Sequence, residues 1–136
     1  MDPCGTEGDF TCAVRSIRLP EDGLLVAWEL FRTIFLNPPY GRDADRGTTI
    51  KDWLRKASEA SEAGSEIIAL IPVATNTQHW KKYVFPTCSR VCFLKDSRFK
   101  FVGAGKKGAP MAVAAVYWGK SPERFEEVFA FRGAIR

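Results

Sequence analysis

A single α/β domain, with a mostly parallel sheet and one antiparallel strand near the C-terminus, is the fold class this sequence predicts. Three observations carry that reading. An apolar run of strand length, an amphipathic helix and a second apolar run succeed one another between residues 33 and 72. The first of these runs ends abruptly at a diproline. The last third of the chain alternates strand-like and helix-like periods, and its 136 residues with 46% hydrophobic content suffice for one core but not for two ordinary domains.

Taken in order, Thr33-Ile34-Phe35-Leu36 is a short apolar run closed by Asn37-Pro38-Pro39, where two prolines cannot continue a ladder. It predicts a buried strand leading into a rigid loop. Thr49 stands three residues before Asp52, the spacing of a reciprocal N-terminal cap, and Ile50, Trp53, Leu54, Ala57 and Ser61 recur at helical spacing up to Gly64. Glu66 to Ile71, stopped by Pro72, is a continuous apolar run of the kind found where both faces of a sheet are covered. Strand, helix and strand then make a parallel crossover. Farther on the patterns predict a short helix over Thr77 to Val84, strands over Arg90 to Leu94 and Arg98 to Phe101, and a long strand over Pro110 to Trp118. A helix over Pro122 to Phe131, ended by Gly133, precedes a last short strand.

Charge is distributed unevenly. Residues 1 to 29 hold six acids against Arg15 and Arg18, a net of −4, whereas residues 81 to 107 hold eight bases against Asp96, a net of +7. A basic stretch of that density points to a polyanionic partner. No run approaches the ~20 apolar residues of a membrane span, and the N-terminus lacks the basic and apolar regions of a secretory signal, so a soluble cytoplasmic protein is expected. Cys4, Cys12, Cys88 and Cys92 are expected to be reduced thiols, since their spacing is not the tight pairing of zinc knuckles. No metal site is expected.

Asn37-Pro38-Pro39-Tyr40 carries the chemistry. Its chance occurrence in a chain of this length is on the order of one in a thousand or less. It falls at the carboxyl end of a strand, where open α/β sheets bind ligands. An aromatic amine is a poor nucleophile because its lone pair is delocalised into the ring; two acceptors facing its hydrogens localise that pair. The Asn37 side-chain oxygen and the Pro38 carbonyl, held on a stiff backbone, are such acceptors, and Tyr40 offers a flat face on which an extruded base can stack. The lone His79 has no recognisable catalytic partner and reads as a surface or partly packed residue. Gly103-Ala104-Gly105-Lys106-Lys107-Gly108 matches a dinucleotide fingerprint literally, but a strand rather than a helix follows it, so a hairpin loop is expected.

Asp2-Pro3-Cys4, then Glu21-Asp22-Gly23-Leu24 with Trp28, then Phe35 to Gly41 closely resemble the phage-type (Dam-like) DNA N6-adenine methyltransferase family. Trp53 with Lys56-Ala57, Leu70-Ile71-Pro72, Thr75-Asn76-Thr77, Arg98 to Phe101, and Ala109-Pro110 through Tyr117-Trp118-Gly119 extend the likeness over nearly the whole chain. The resemblance implies a Rossmann-like class I methyltransferase fold, S-adenosylmethionine as donor and adenine in DNA as acceptor. It implies catalytic roles for Asn37, Pro38, Pro39 and Tyr40, and cofactor contacts from Asp2, Pro3, Cys4 and Asn37. Arg42, Lys95, Arg98, Lys100, Lys106 and Lys107 are the expected phosphate contacts. In this family a strand precedes the Asp-Pro-Cys motif, so the chain reads as N-terminally shortened, and a homodimer is expected to complete sheet and pocket. A non-catalytic DNA-binding remnant is the alternative, and the tetrapeptide also serves methyltransferases acting on RNA adenine or protein glutamine.

Overall fold

The computed structural model describes residues 1–8, 11–95 and 111–136. Among them are five strands, β1 (Thr33–Leu36), β2 (Glu66–Pro72), β3 (Arg90–Leu94), β4 (Val113–Trp118) and β5 (Gly133–Ile135). Two α-helices accompany them, α1 (Ile50–Glu62) and α2 (Pro122–Phe129), with a 3-10 turn at Trp28–Leu30 and a π-helical turn at Trp80–Val84. The expected strand over Arg98 to Phe101, the Gly103 to Gly108 loop and the first residue of the Pro110 to Trp118 run lie outside the described residues.

The crossover forms as its sequence requires. Helix α1 begins where the Thr49 N–H donates to Asp52 Oδ2 at 2.9 Å, satisfying a donor that the helix itself cannot. It buries Ile50, Trp53, Leu54 and Ala57 on one face, and returns the chain so that β1 and β2 pair in parallel from Thr33↔Glu66 to Leu36↔Ala69.

The expectation of a mostly parallel sheet is corrected. The order is β1-β2-β4-β3-β5, and of the pairings among these five described strands one, β1–β2, is parallel. Strands β1, β2 and β3 do share one direction, but β4 runs against them and is inserted between β2 and β3, so it pairs antiparallel with both; β5 then runs antiparallel to β3. Its six residues are all buried, because β4 is flanked on both edges and covered on both faces. Strand β2 instead alternates buried Ile67, Ala69 and Ile71 with half-buried Ile68 and Leu70.

Helix α1 and the Trp28 and Trp80 turns cover one face, where Trp28, Trp53, Trp80 and Trp118 join Leu36, Leu54 and Ile67 in the larger core. Helix α2 covers the other, with Phe125 stacked on Tyr117 at 5.3 Å between ring centroids. Two local readings shift. The helix expected at Thr77 to Val84 widens into a π-helical turn over Trp80–Val84, whose Trp80 indole donates to the Pro72 carbonyl at 3.0 Å. Helix α2 stops at Phe129, and Gly133 opens β5 instead, where a Cβ would stand 2.1 Å from the Phe93 carbonyl oxygen. None of the described helices is long and apolar enough to cross a membrane.

Candidate functional site

Two loops leave the sheet side by side. The Met1 nitrogen donates to the Thr33 carbonyl at 2.8 Å and the Phe35 N–H to the Met1 carbonyl at 3.0 Å, a parallel register that lays Met1 along β1. On its other side Asp2 bridges Ser16 in parallel. The Asp2-Pro3-Cys4 loop and the Asn37-Pro38-Pro39-Tyr40 loop therefore emerge from neighbouring parallel segments at one sheet edge, the geometry in which α/β proteins open a ligand crevice.

A cleft of 340 Å³ lies there. Its walls include Pro3, Cys4, Gly5 and Thr6 from one loop and Asn37, Pro38, Pro39 and Tyr40 from the other. A third segment contributes Ile17, Arg18, Leu19, Glu21 and Gly23, and Arg46 and Trp53 complete the lining. Asn37 is exposed to it and its side chain has no hydrogen-bond partner among the described residues, whereas Pro38 is buried and seats the loop on the core. Tyr40 is half-buried, and its hydroxyl donates to the Leu70 carbonyl at 3.3 Å, so the ring is tethered to β2. Burial also raises the pKa of Tyr40.

Asp2 stands behind the wall. It is 5% exposed, and its Oδ1 accepts the Cys4 N–H at 2.9 Å while Oδ2 accepts the Thr11 hydroxyl at 3.1 Å. A carboxylate committed to its own turn shapes the loop for Pro3 and Cys4. The carboxylate in the wall is Glu21, which sequence reading passed over; it pairs with Arg15 at 2.6 Å. Cys4 faces the cleft with its thiol pKa pushed well up by burial and the adjacent Asp2 charge, so it stays protonated. All four cysteines are free.

Gly23 ties the third segment to the first. A Cβ there would stand 2.0 Å from the Pro3 carbonyl oxygen, and the Gly23 carbonyl accepts the buried Trp28 indole N–H at 2.8 Å. Trp28→Phe leaves that carbonyl without its partner and is expected to cost about 1–3 kcal/mol in urea unfolding. A cost near zero means that the carbonyl finds another donor.

The expected phosphate contacts divide. Arg42 is exposed just past the tetrapeptide, and Lys95 is exposed beyond the end of β3, at the same sheet edge as Asn37 and three strands across, about 14 Å by ordinary strand spacing. Arg98, Lys100, Lys106 and Lys107 lie outside the described residues. Arg90, within the basic stretch, is engaged by Glu126. His79 is half-buried, with Nε2 3.1 Å from the Thr77 hydroxyl, and burial lowers its pKa.

A cleft between two parallel segments at the carboxyl end of a sheet, walled by a diproline loop with an exposed amide, is the place where an α/β protein can take a ligand. The chain belongs to the DNA N-6-adenine-methyltransferase (Dam) family, whose model matches residues 1–116. No curated protein and no solved structure matches it.

Proposed function

We propose that this chain transfers the methyl group of S-adenosylmethionine to the N6 amino group of adenine in DNA. The observation that carries the reading is that the Asp-Pro-Cys and Asn-Pro-Pro-Tyr loops, distant in sequence, wall one cleft. Family membership supports it. So do the common direction of β1, β2 and β3 and the single reversed strand between β2 and β3, which suit a Rossmann-like class I methyltransferase sheet.

The residues present fit the donor. The cleft volume falls at the lower end of the range for small-molecule sites, and its wall combines apolar Ile17, Leu19 and Trp53 with one carboxylate, Glu21, and the guanidinium of Arg18. Glu21 suits ribose hydroxyls or a cationic group, Arg18 a carboxylate, and the backbone of Pro3 to Thr6 a close-packed ligand edge. Bound there, S-adenosylmethionine supplies an electrophilic methyl carbon on a sulfonium centre.

Asn37 Oδ1 and the Pro38 carbonyl each accept one hydrogen of the adenine amino group, which localises the nitrogen lone pair toward the methyl carbon. Formation of the N–C bond would break the methyl–sulfur bond, its electron pair returning to sulfur as a neutral thioether, and the cationic nitrogen would then give its proton to water without a strong base. Tyr40 stacks on the extruded base, worth about 1–3 kcal/mol, against the few kcal/mol needed to flip it from a duplex. On this reading the protein works in the cytoplasm of a bacterial or phage-infected cell.

Tritiated donor with duplex DNA, followed by mass spectrometry of the digested product, tests the reading; N6-methyladenine is the expected product. Label found only in RNA or in protein glutamine would replace DNA as the acceptor, and DNA binding without any donor binding by calorimetry would leave a non-catalytic remnant. If four of the basic side chains meet phosphates, DNA affinity falls about 100-fold between roughly 50 and 200 mM salt, and Lys95→Gln lowers the logarithmic slope by about one. Fluorescence anisotropy over that salt range checks it; a flat salt profile removes the phosphate contacts.

A further inference from the structure

We infer that Arg46 is a positioning residue that clasps the two walls of the cleft together and so fixes the distance between donor and acceptor. The consequence for catalysis rests on the methyl-transfer reading; the clasp itself rests on geometry. Residues 41–48 continue directly from the tetrapeptide and close on themselves through an antiparallel bridge between Asp43 and Thr48. Within that turn Asp43 accepts the Arg46 N–H at 3.0 Å and its Nε at 2.7 Å, so the guanidinium is aimed by its own loop.

The free arm of the fork then crosses to the opposite wall. Arg46 Nη1 stands 3.1 Å from Asp22 Oδ1, and the same Asp22 oxygen accepts the Leu24 N–H at 2.9 Å. Between those two residues sits Gly23, packed against the Pro3 carbonyl of the donor-side loop. The path therefore runs from the tetrapeptide through Arg46 and Asp22 to Gly23 and Pro3, and Arg46 itself lines the cleft between them.

These are not ordinary surface pairs. The Arg46, Asp22 and Asp43 side chains are 24%, 15% and 25% exposed, and the planar fork engages two carboxylates from different segments at once. A lysine at this position could hold one of them but not both in fixed geometry. Methyl transfer needs such rigidity, because a misplacement of about 1 Å between reacting atoms can cost about 100-fold in rate.

The test compares wild type with Arg46→Gln, Arg46→Lys and Asp22→Asn, which retains the acceptor for Leu24 but loses the charge. Steady-state kinetics with donor and DNA varied separately, and amide hydrogen exchange, are the readouts. Expected is a fall in kcat of about 100-fold for Arg46→Gln with donor KM nearly unchanged, partial recovery in Arg46→Lys, and a double variant with Asp22→Asn no worse than Arg46→Gln alone. Exchange at the amides of Asp2, Cys4, Gly5 and Thr6 and at those of Asn37 and Tyr40 is expected to quicken together. Unchanged kcat in Arg46→Gln, a loss confined to donor KM, or faster exchange limited to 41–48 overturns the clasp. Wild-type protein that transfers no methyl group refutes the methyl-transfer reading instead, and the exchange result still decides whether Arg46 couples the two walls.

Discussion

Asn37→Ala is expected to lower methyl incorporation into DNA by about 100- to 1,000-fold while leaving the melting temperature close to wild type. Asn37 is exposed at the cleft and its side chain engages no other described residue, so its removal takes nothing from the fold. What is lost is one of the two acceptors that make the amine nucleophilic. Asn37→Asp keeps an oxygen in the same place and is expected to lose less. The loss should appear in kcat more than in KM, because the interaction strengthens as the nitrogen gains positive charge. Equal rates for wild type and Asn37→Ala would refute the assignment of the tetrapeptide.

Gly23→Ala is expected to have the second large effect, and on a different quantity. The added methyl would stand 2.0 Å from the Pro3 carbonyl oxygen, and the obstacle is backbone on both sides. Either the Asp-Pro-Cys loop or the turn at residues 22–24 must move, at a cost of about 1–3 kcal/mol or more. Since both walls belong to the cleft, donor affinity by calorimetry is expected to fall at least about 10-fold, while the α1–β2 crossover, held by its own cap and register, keeps its exchange protection. Unaltered donor affinity would mean that the loop yields without consequence and that Gly23 does not set the cleft.

How much of this was written legibly in the chain differs from element to element. Strand β1 and helix α1 were readable because their limits are local: a diproline stops the first, and the Thr49 and Asp52 pair starts the second. Beyond the parallel crossover and an antiparallel strand near the C-terminus, the sheet's directions were not, because an apolar run reads the same whichever way its neighbours point. Residues 113–118 look like an inner strand in either sense, and only the tertiary insertion between β2 and β3 makes its two pairings antiparallel. The tetrapeptide and the Pro3-Cys4 turn were legible as candidates by their unusual composition, and both line the cleft. Their partners were not: Asp2, read as a ligand, is turned into its own loop, while Glu21 and Arg46 reach the cleft from stretches where a charge pattern gives no hint of side. Whether an acid faces a ligand or a backbone N–H depends on the turn it caps, which periodicity does not encode.

Strand β4 also imposes an order of events on folding. Both of its neighbours precede it in the sequence, β2 by some forty residues, so in a chain emerging from the ribosome the two ladder edges that β4 fills stay open until residue 113 and its successors arrive. Closure of the sheet is thus a late, non-local step, like a keystone set after the arch, and nascent chains halted short of it would present sticky strand borders to one another.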